Sequence, residues 1–240
     1  MGFFSFTEIT DPAEHRSYNE WHQLDHMPEQ YPLAGMAYGQ RWVATPACRA
    51  ARAVDGELLA PVHYATLYLM TEPVDETLAQ FQALGGELRR RGRFHQHRRA
   101  QLSGPFVLES VRAAPRALVS AAAVPYRPNR GVYLVVEDRA STDDRPAQES
   151  LDELLETAGV AGVWTFASAT ERRGPWYPGV RRVTVCYLDD EPLGVAASVA
   201  AVVRRRPPGP GPVIHAGPYE TVTPWQWDWF EAGTPAGTDL

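Results

Sequence analysis

Residues 132–136 (Val-Tyr-Leu-Val-Val) and 183–188 (Val-Thr-Val-Cys-Tyr-Leu) read as strands without a polar face. A strand that is apolar on both sides needs cover on both sides. That need constrains the chain strongly, because helical cover is scarce. Periodicity gives strands at 3–9, 36–44, 63–70 and about 106–111, with helices at 11 to about 30 and 75 to about 91. The second half repeats the order, with strands at 131–137, 162–169, 182–188 and 213–222 and helices at 147–158 and 192–204. Two helices cover one face of a four-stranded sheet and leave the other bare. The sister half is the economical cover, sheet against sheet. The expectation is an α+β protein of two similar halves, 1–114 and 115–240, with antiparallel sheets packed face to face over a small-molecule pocket.

Local signals fit this order. Asp11 is placed to cap a helix, with Pro12 in its first turn and Glu14 completing a near capping box. Gly92 follows the second helix as its C-terminal stop. Residues 45–61 read as an irregular loop. Pro115, Pro125 and Pro128 mark 115–129 as the linker, and the Pro/Gly run at 205–212 reads as a surface loop. On one strand Tyr38, Gln40 and Trp42 share a face; on the next, Tyr64, Thr66 and Tyr68 do. These mixtures suit the lining of the expected pocket, with packing against the helices as the alternative.

Composition excludes several classes. The net charge of −6 argues against a general nucleic-acid binder. All 23 basic residues are arginine, so Schiff-base chemistry through a lysine is ruled out. Two distant cysteines, Cys48 and Cys186, support neither a disulfide framework nor a cysteine zinc site, and fit a reducing, cytoplasmic setting. No apolar run approaches the ~20 residues needed to span a bilayer, and the first residues read as a strand rather than a signal peptide.

The chemistry concentrates in residues 18–29, Tyr-Asn-Glu-Trp-His-Gln-Leu-Asp-His-Met-Pro-Glu. On a helix, His22 and His26 share a face, with Tyr18 one turn earlier and Asp25 and Glu29 alongside. The pattern Tyr18-x-x-Trp21-His22-x-x-Asp25-His26-x-Pro28-Glu29, followed by Pro32-x-x-Gly35-Met36, resembles the first helix and second strand of dimeric α+β barrel proteins in the EthD-like branch. The resemblance implies ferredoxin-like units paired face to face, here as a fused duplicate. It also implies small aromatic or polyketide-like substrates and, in various branches, cofactor-free isomerases, cyclases, monooxygenases and lyases, or haem binding. By this resemblance His26 matches the histidine that faces the cleft. The corresponding helix of the second half has no histidine, which points to one asymmetric site.

The leading expectation is a cofactor-free enzyme of secondary metabolism or aromatic degradation that works by acid/base proton transfer. His26 is its acid/base, His22 and Asp25 assist, and Tyr18, Tyr38, Trp42, Tyr68 and Glu29 bind substrate. Histidine suits the role because it titrates near neutral pH. One alternative is a divalent metal held by His22 and His26 with Glu29 as third ligand; the spacing allows it, but Gln23 stands where the His-Glu-x-x-His pattern needs Glu. Another is haem, though nothing around His215 forms a binding motif. A third is a binding barrel without catalysis. The arginine-rich run 89–99 could hold a phosphate or carboxylate, but cations favoured at a helix C-terminus are the preferred account. The aromatic cluster at 219–230 reads as packing or a dimer contact. The partners expected are a small molecule and a second copy of the chain, with neither nucleic acid nor membrane.

Overall fold

The computed structural model of the chain describes residues 1–139, 148–168, 179–206 and 211–231. The Pro/Gly run expected as a surface loop lies partly outside them, at 207–210. The N-terminal half holds strands β1 (Gly2–Ile9), β2 (Met36–Val43), β3 (Val54–Asp55), β4 (Tyr64–Met70) and β5 (Arg98–Ala113), and helices α1 (His15–Trp21), α2 (Pro46–Ala50) and α3 (Val74–Arg90). The C-terminal half holds β6 (Gly131–Asp138), α4 (Gln148–Glu156), β7 (Val160–Ser168), β8 (Arg181–Leu188), α5 (Pro192–Arg205) and β9 (Val213–Thr221). Short 3-10 turns at Pro115–Ala117 and Ala121–Tyr126 join them, where the prolines predict a linker.

Each half is a ferredoxin-like sheet, ordered β2-β4-β1-β5 and β7-β8-β6-β9. All strand pairings are antiparallel. The two sheets then join at both edges. β5 pairs with β7 in a long ladder from Phe106↔Ser168 to Ala113↔Gly162, and β9 returns to β2 at Trp42↔Thr221 and Val43↔Glu220. The result is a closed eight-stranded ring, a dimeric α+β barrel formed within one chain. β3 reaches across and adds to β9 at Val54↔Ala216. No helix among the described residues is long and apolar enough to cross a membrane.

The strands apolar on both faces are covered as their sequence requires. One face of each looks into the barrel and the other meets the helices. Inside, Phe4, Phe6, Trp42, Phe106, Phe166 and Tyr187 belong to one buried cluster drawn from both sheets. This corrects the expected location of the pocket: side chains fill the space between the sheets. Tyr38 and Trp42 lie on that inner side. Trp42 is fully buried, and Tyr38 packs against the cluster and against Tyr126, with ring centroids 5.3 Å apart.

Local differences have physical causes. Asp11 does cap, accepting a hydrogen bond from Ala13 N at 3.0 Å, but Glu14 turns to Ser17 rather than closing a capping box. The first helix is not one continuous α-helix: a 3-10 turn precedes α1, and a π-helical turn at His22–His26 follows it. Gly92, with φ +69°, sits where only glycine is comfortable, and Arg93 N bonds back to Leu88 O at 2.9 Å to close α3. β5 begins eight residues earlier than the apolar pattern indicates, because its first part carries Arg98 and Arg99 on the rim of the helix layer.

Phe4 is a direct test of the filled barrel. Its ring meets Phe106 and Phe166 edge-on at 5.4 and 5.1 Å, so it joins β1 to strands of both halves. Phe4→Ala is expected to cost about 3–5 kcal/mol in urea unfolding. Val107→Ala, at a side chain 48% exposed, should stay within about 0.5 kcal/mol. Equal, small losses would contradict a packed interior.

Candidate functional site

The cavity of interest lies outside the barrel, between the outer face of the N-terminal sheet and its helices. Alternation along the strands supplies the floor: Phe4 and Phe6 point inward, which leaves Phe3, Ser5 and Thr7 on the outer face, joined by Thr66 and Tyr68 of β4. The roof comes from α1 with its π turn, from α3, and from Phe94 and Arg98 beyond it. The volume is about 430 Å³. Gly85 and Gly86 form part of the wall in the middle of α3. Each costs the helix roughly 0.5–1 kcal/mol against alanine, and neither adds a side chain to the lining.

The π turn sets the histidines. Met27 N bonds to His22 O at 2.9 Å, a five-residue step that widens the helix where His22 and His26 lie. Such turns are rare and occur often at functional sites. The rings of His22 and His26 stand edge to face at 5.2 Å, and His26 stacks on Trp21 at 4.6 Å. Arg93 secures this turn from outside. Its guanidinium binds Asp25 and Glu29 at 2.6 Å each, and its carbonyl accepts a hydrogen bond from Trp21 Nε1 at 2.8 Å.

Electrostatics keep both imidazoles neutral. Burial, then the Arg98 guanidinium, draws His26 down to about 3, while the Asp25 charge works the other way. Burial, then Arg41, His26 and Arg98, holds His22 well below its ordinary value. Tyr68 is raised by burial and stays a protonated phenol. Buried polar atoms without partners gather around the cavity: Nδ1 of His22 and His26, Oε1 of Gln30, Oγ1 of Thr66 and the hydroxyl of Tyr68. Each such atom costs about 1–3 kcal/mol unless something satisfies it. Such atoms occur elsewhere in the protein too, but those that line this cavity are ones a polar ligand would satisfy.

The structure brings Tyr18, His22, His26 and Tyr68 to this cavity. It does not bring the other expected site residues there. Asp25 and Glu29 are held by Arg93 on the solvent side of the π turn, and Tyr38 and Trp42 lie on the inner side of the barrel. Sequence reasoning passed over Gln30 and Phe94 and preferred a helix-end role for the run that holds Arg98. Thr66 was legible as a face-mate of Tyr68. Arg98 was hidden in a run of arginines whose earlier members do behave as helix-end cations, with Arg90 and Arg91 on Glu87.

No protein-family model matches the chain, and no curated protein is similar to it. Among solved structures, the crystal structure of a "Putative Chlorite dismutase TA0507" aligns over 95% of this chain and 96% of its own, with a TM-score of 0.52 at 11% identity. A "putative monooxygenase from Lactobacillus acidophilus NCFM" covers 92% and 93% at 6% identity with a TM-score of 0.41, which adds nothing to the fold assignment. The first likeness establishes the shared fold.

It also corrects the cofactor expectation. The barrel is shared with a protein described as a chlorite dismutase, and the resemblance noted above includes haem-binding branches, so the fold gives no basis for a cofactor-free protein. Among the residues lining the cavity, the neutral imidazole of His22 or His26 would hold the iron of such a group, and Arg98 or Arg99 would hold its carboxylates. The divalent-metal alternative meets a poorer donor set. Among the described residues no three His, Cys, Asp or Glu side chains gather to hold an ion, and Glu29, the third ligand expected, is bound to Arg93.

Burial of neutral His26 has a pH signature. Its folded-state value of about 3 lies below the ordinary 6.5, so the unfolded chain binds the extra proton between these limits. Stability therefore rises with pH across that window. The contribution is complete above pH 6.5 and is lost as pH falls, at up to about 1.4 kcal/mol per pH unit. His26→Gln should flatten the slope of unfolding free energy against pH by up to one proton. An unchanged slope would show that His26 is charged in the folded protein.

Proposed function

We propose that the chain is an enzyme of proton transfer on a small aromatic or polyketide-like substrate, bound between the N-terminal sheet and its helices. The observation that carries this reading is the pair of neutral imidazoles, His22 and His26, placed by a π turn at a cavity with unpartnered polar atoms and aromatic walls. The value of about 3 departs from the near-neutral titration expected of His26 and makes it a weak base, but its neutral imidazole can still accept a proton, and the protonated phenol of Tyr68 can donate a hydrogen bond to the oxygen where charge develops. His26 is the first acceptor in this reading and His22 its neighbour in reserve. Tyr18 and Tyr68 bind the ring system. Asp25 acts through its charge on His26 and through the Arg93 clamp, as a positioning residue. The motif around Tyr18 to Met36 supports placement in the EthD-like branch, and with it a role in secondary metabolism or aromatic degradation.

The test needs no prior substrate. Enolisable aromatic ketones and 1,3-diketones are incubated with the protein in D2O, and deuterium uptake at the acidic carbon is followed by NMR. Wild type is expected to catalyse exchange. His26→Gln should lower the rate by about 10²–10⁴. Gly86→Leu, which fills the cavity wall, should abolish binding and exchange together. Undiminished exchange in His26→Gln removes the base assignment; undiminished exchange in Gly86→Leu removes the cavity.

A further inference from the structure

Arg98 stands apart among the charges around this cavity. The chain carries six more acids than bases, and the neighbouring arginines take carboxylates: Arg90 and Arg91 hold Glu87, Arg93 holds Asp25 and Glu29, and Arg99 reaches Glu8. Arg98 has no carboxylate partner among the described residues. Its guanidinium lies between aromatic faces, 5.8 Å from the Trp21 ring centre and 5.2 Å from that of Phe94. Arg89, likewise without a carboxylate among the described residues, packs on the same Phe94 ring at 5.2 Å. Two cations thus share one aromatic ring at the wall of one cavity, and each raises the cost of the other. Burial leaves Arg98 below its ordinary value; Arg89 lowers it further, while Tyr18 and Tyr68 work the other way.

We propose that Arg98, supported by Arg89, is an anion subsite, and that the ligand of this cavity is an aromatic carboxylate. The inference rests on the binding reading given above and adds the class of substrate. A carboxylate suits the guanidinium fork, which can donate two parallel hydrogen bonds. The flat body would lie among Phe3, Trp21, Phe81 and Phe94, which line the same space. A charge placed there satisfies Arg98 and relieves its repulsion with Arg89. It also offsets the guanidinium that most strongly depresses His26 after burial, with Arg41 and Arg93 remaining on the positive side and Asp25 on the negative. Binding the anion and strengthening the base are then one event.

Matched probes test this. Benzoate, salicylate and 2-naphthoate, each paired with its carboxamide, are titrated against wild type, Arg98→Gln and Arg98→Met by calorimetry, with Trp21 indole shifts reporting the location. The carboxylates are expected to bind wild type about 10- to 100-fold more tightly than the amides. That preference should vanish in both variants while the amides keep their affinity. Losing an unpaired, partly buried charge should leave the variants at least as thermally stable as wild type, so lost binding cannot be ascribed to unfolding. If amides and acids bind equally at Trp21, the anion subsite is refuted and the cavity stands. If the acid preference persists in Arg98→Met, Arg98 is not its source. If no probe of either kind perturbs Trp21, the cavity reading fails along with the inference.

Discussion

Closing eight strands into a ring fixes how much room is left inside. A barrel of that size has an interior just wide enough for side chains, and this chain fills it with phenylalanine, tryptophan and tyrosine from both sheets. The filling does two things at once. It binds the halves through contacts such as Phe4 with Phe166, and it removes the inner space as a place for a ligand. Any sizeable cavity on such a scaffold has to form in the outer layer, where helices rest on the back of the sheet. The site follows from the barrel by exclusion.

The outer layer is not equivalent in the two halves. Behind the C-terminal sheet, α4 contributes Leu151 and Leu154, and α5 contributes Val195, Val199 and Val203, with Ala196 and Ala200 letting the helix approach closely. That layer is largely aliphatic, with the Tyr133 hydroxyl buried in it. Behind the N-terminal sheet the corresponding cluster is smaller, centred on Phe3, Tyr68, Leu78 and Phe81. Beyond Phe81 the helix turns to Gly85 and Gly86, and the facing element is the π turn with its histidines. The two outer layers therefore differ: aliphatic side chains pack the one behind the C-terminal sheet, and the one behind the N-terminal sheet borders the cavity. The stability given up by glycines in α3 and by unpartnered polar atoms in the wall is offset by the core of the other half and by the barrel between them.

The duplicated order of elements, the sheet-on-sheet arrangement and the importance of the His22–His26 segment were legible in the sequence, because apolar periodicity and helix signals are local. The face each side chain takes was not. Where a strand is apolar on both sides, alternation says which residues travel together but not which set points inward, so Tyr38 and Trp42 could not be separated in role from Tyr68. The short α2 and β3 have too few residues to show a period. The opening of β5 hides behind arginines that look like helix-end charges. Asp25 and Glu29 were read as companions of the histidines because they adjoin them in sequence; their partner Arg93 lies 68 and 64 residues away, a separation that no local pattern reports.

The charges around the cavity form a single balance. Arg93 is neutralised by two carboxylates outside the π turn, whereas Arg98 is left without one beside it. Had Asp25 or Glu29 reached Arg98 instead, the cavity would be neutral and His26 less depressed, and nothing there would distinguish an anion from a neutral ligand. The clamp on Arg93 thus has a structural and an electrostatic consequence. It holds the histidine-bearing turn in place, and it draws the available negative charge away from the interior. What remains is a guanidinium against aromatic faces and an imidazole kept from protonating. An incoming anion is attracted by the first and, once seated, raises the basicity of the second. A seated anion therefore strengthens the base further, because in a low-dielectric wall the cationic forms of Arg98 and His26 disfavour one another.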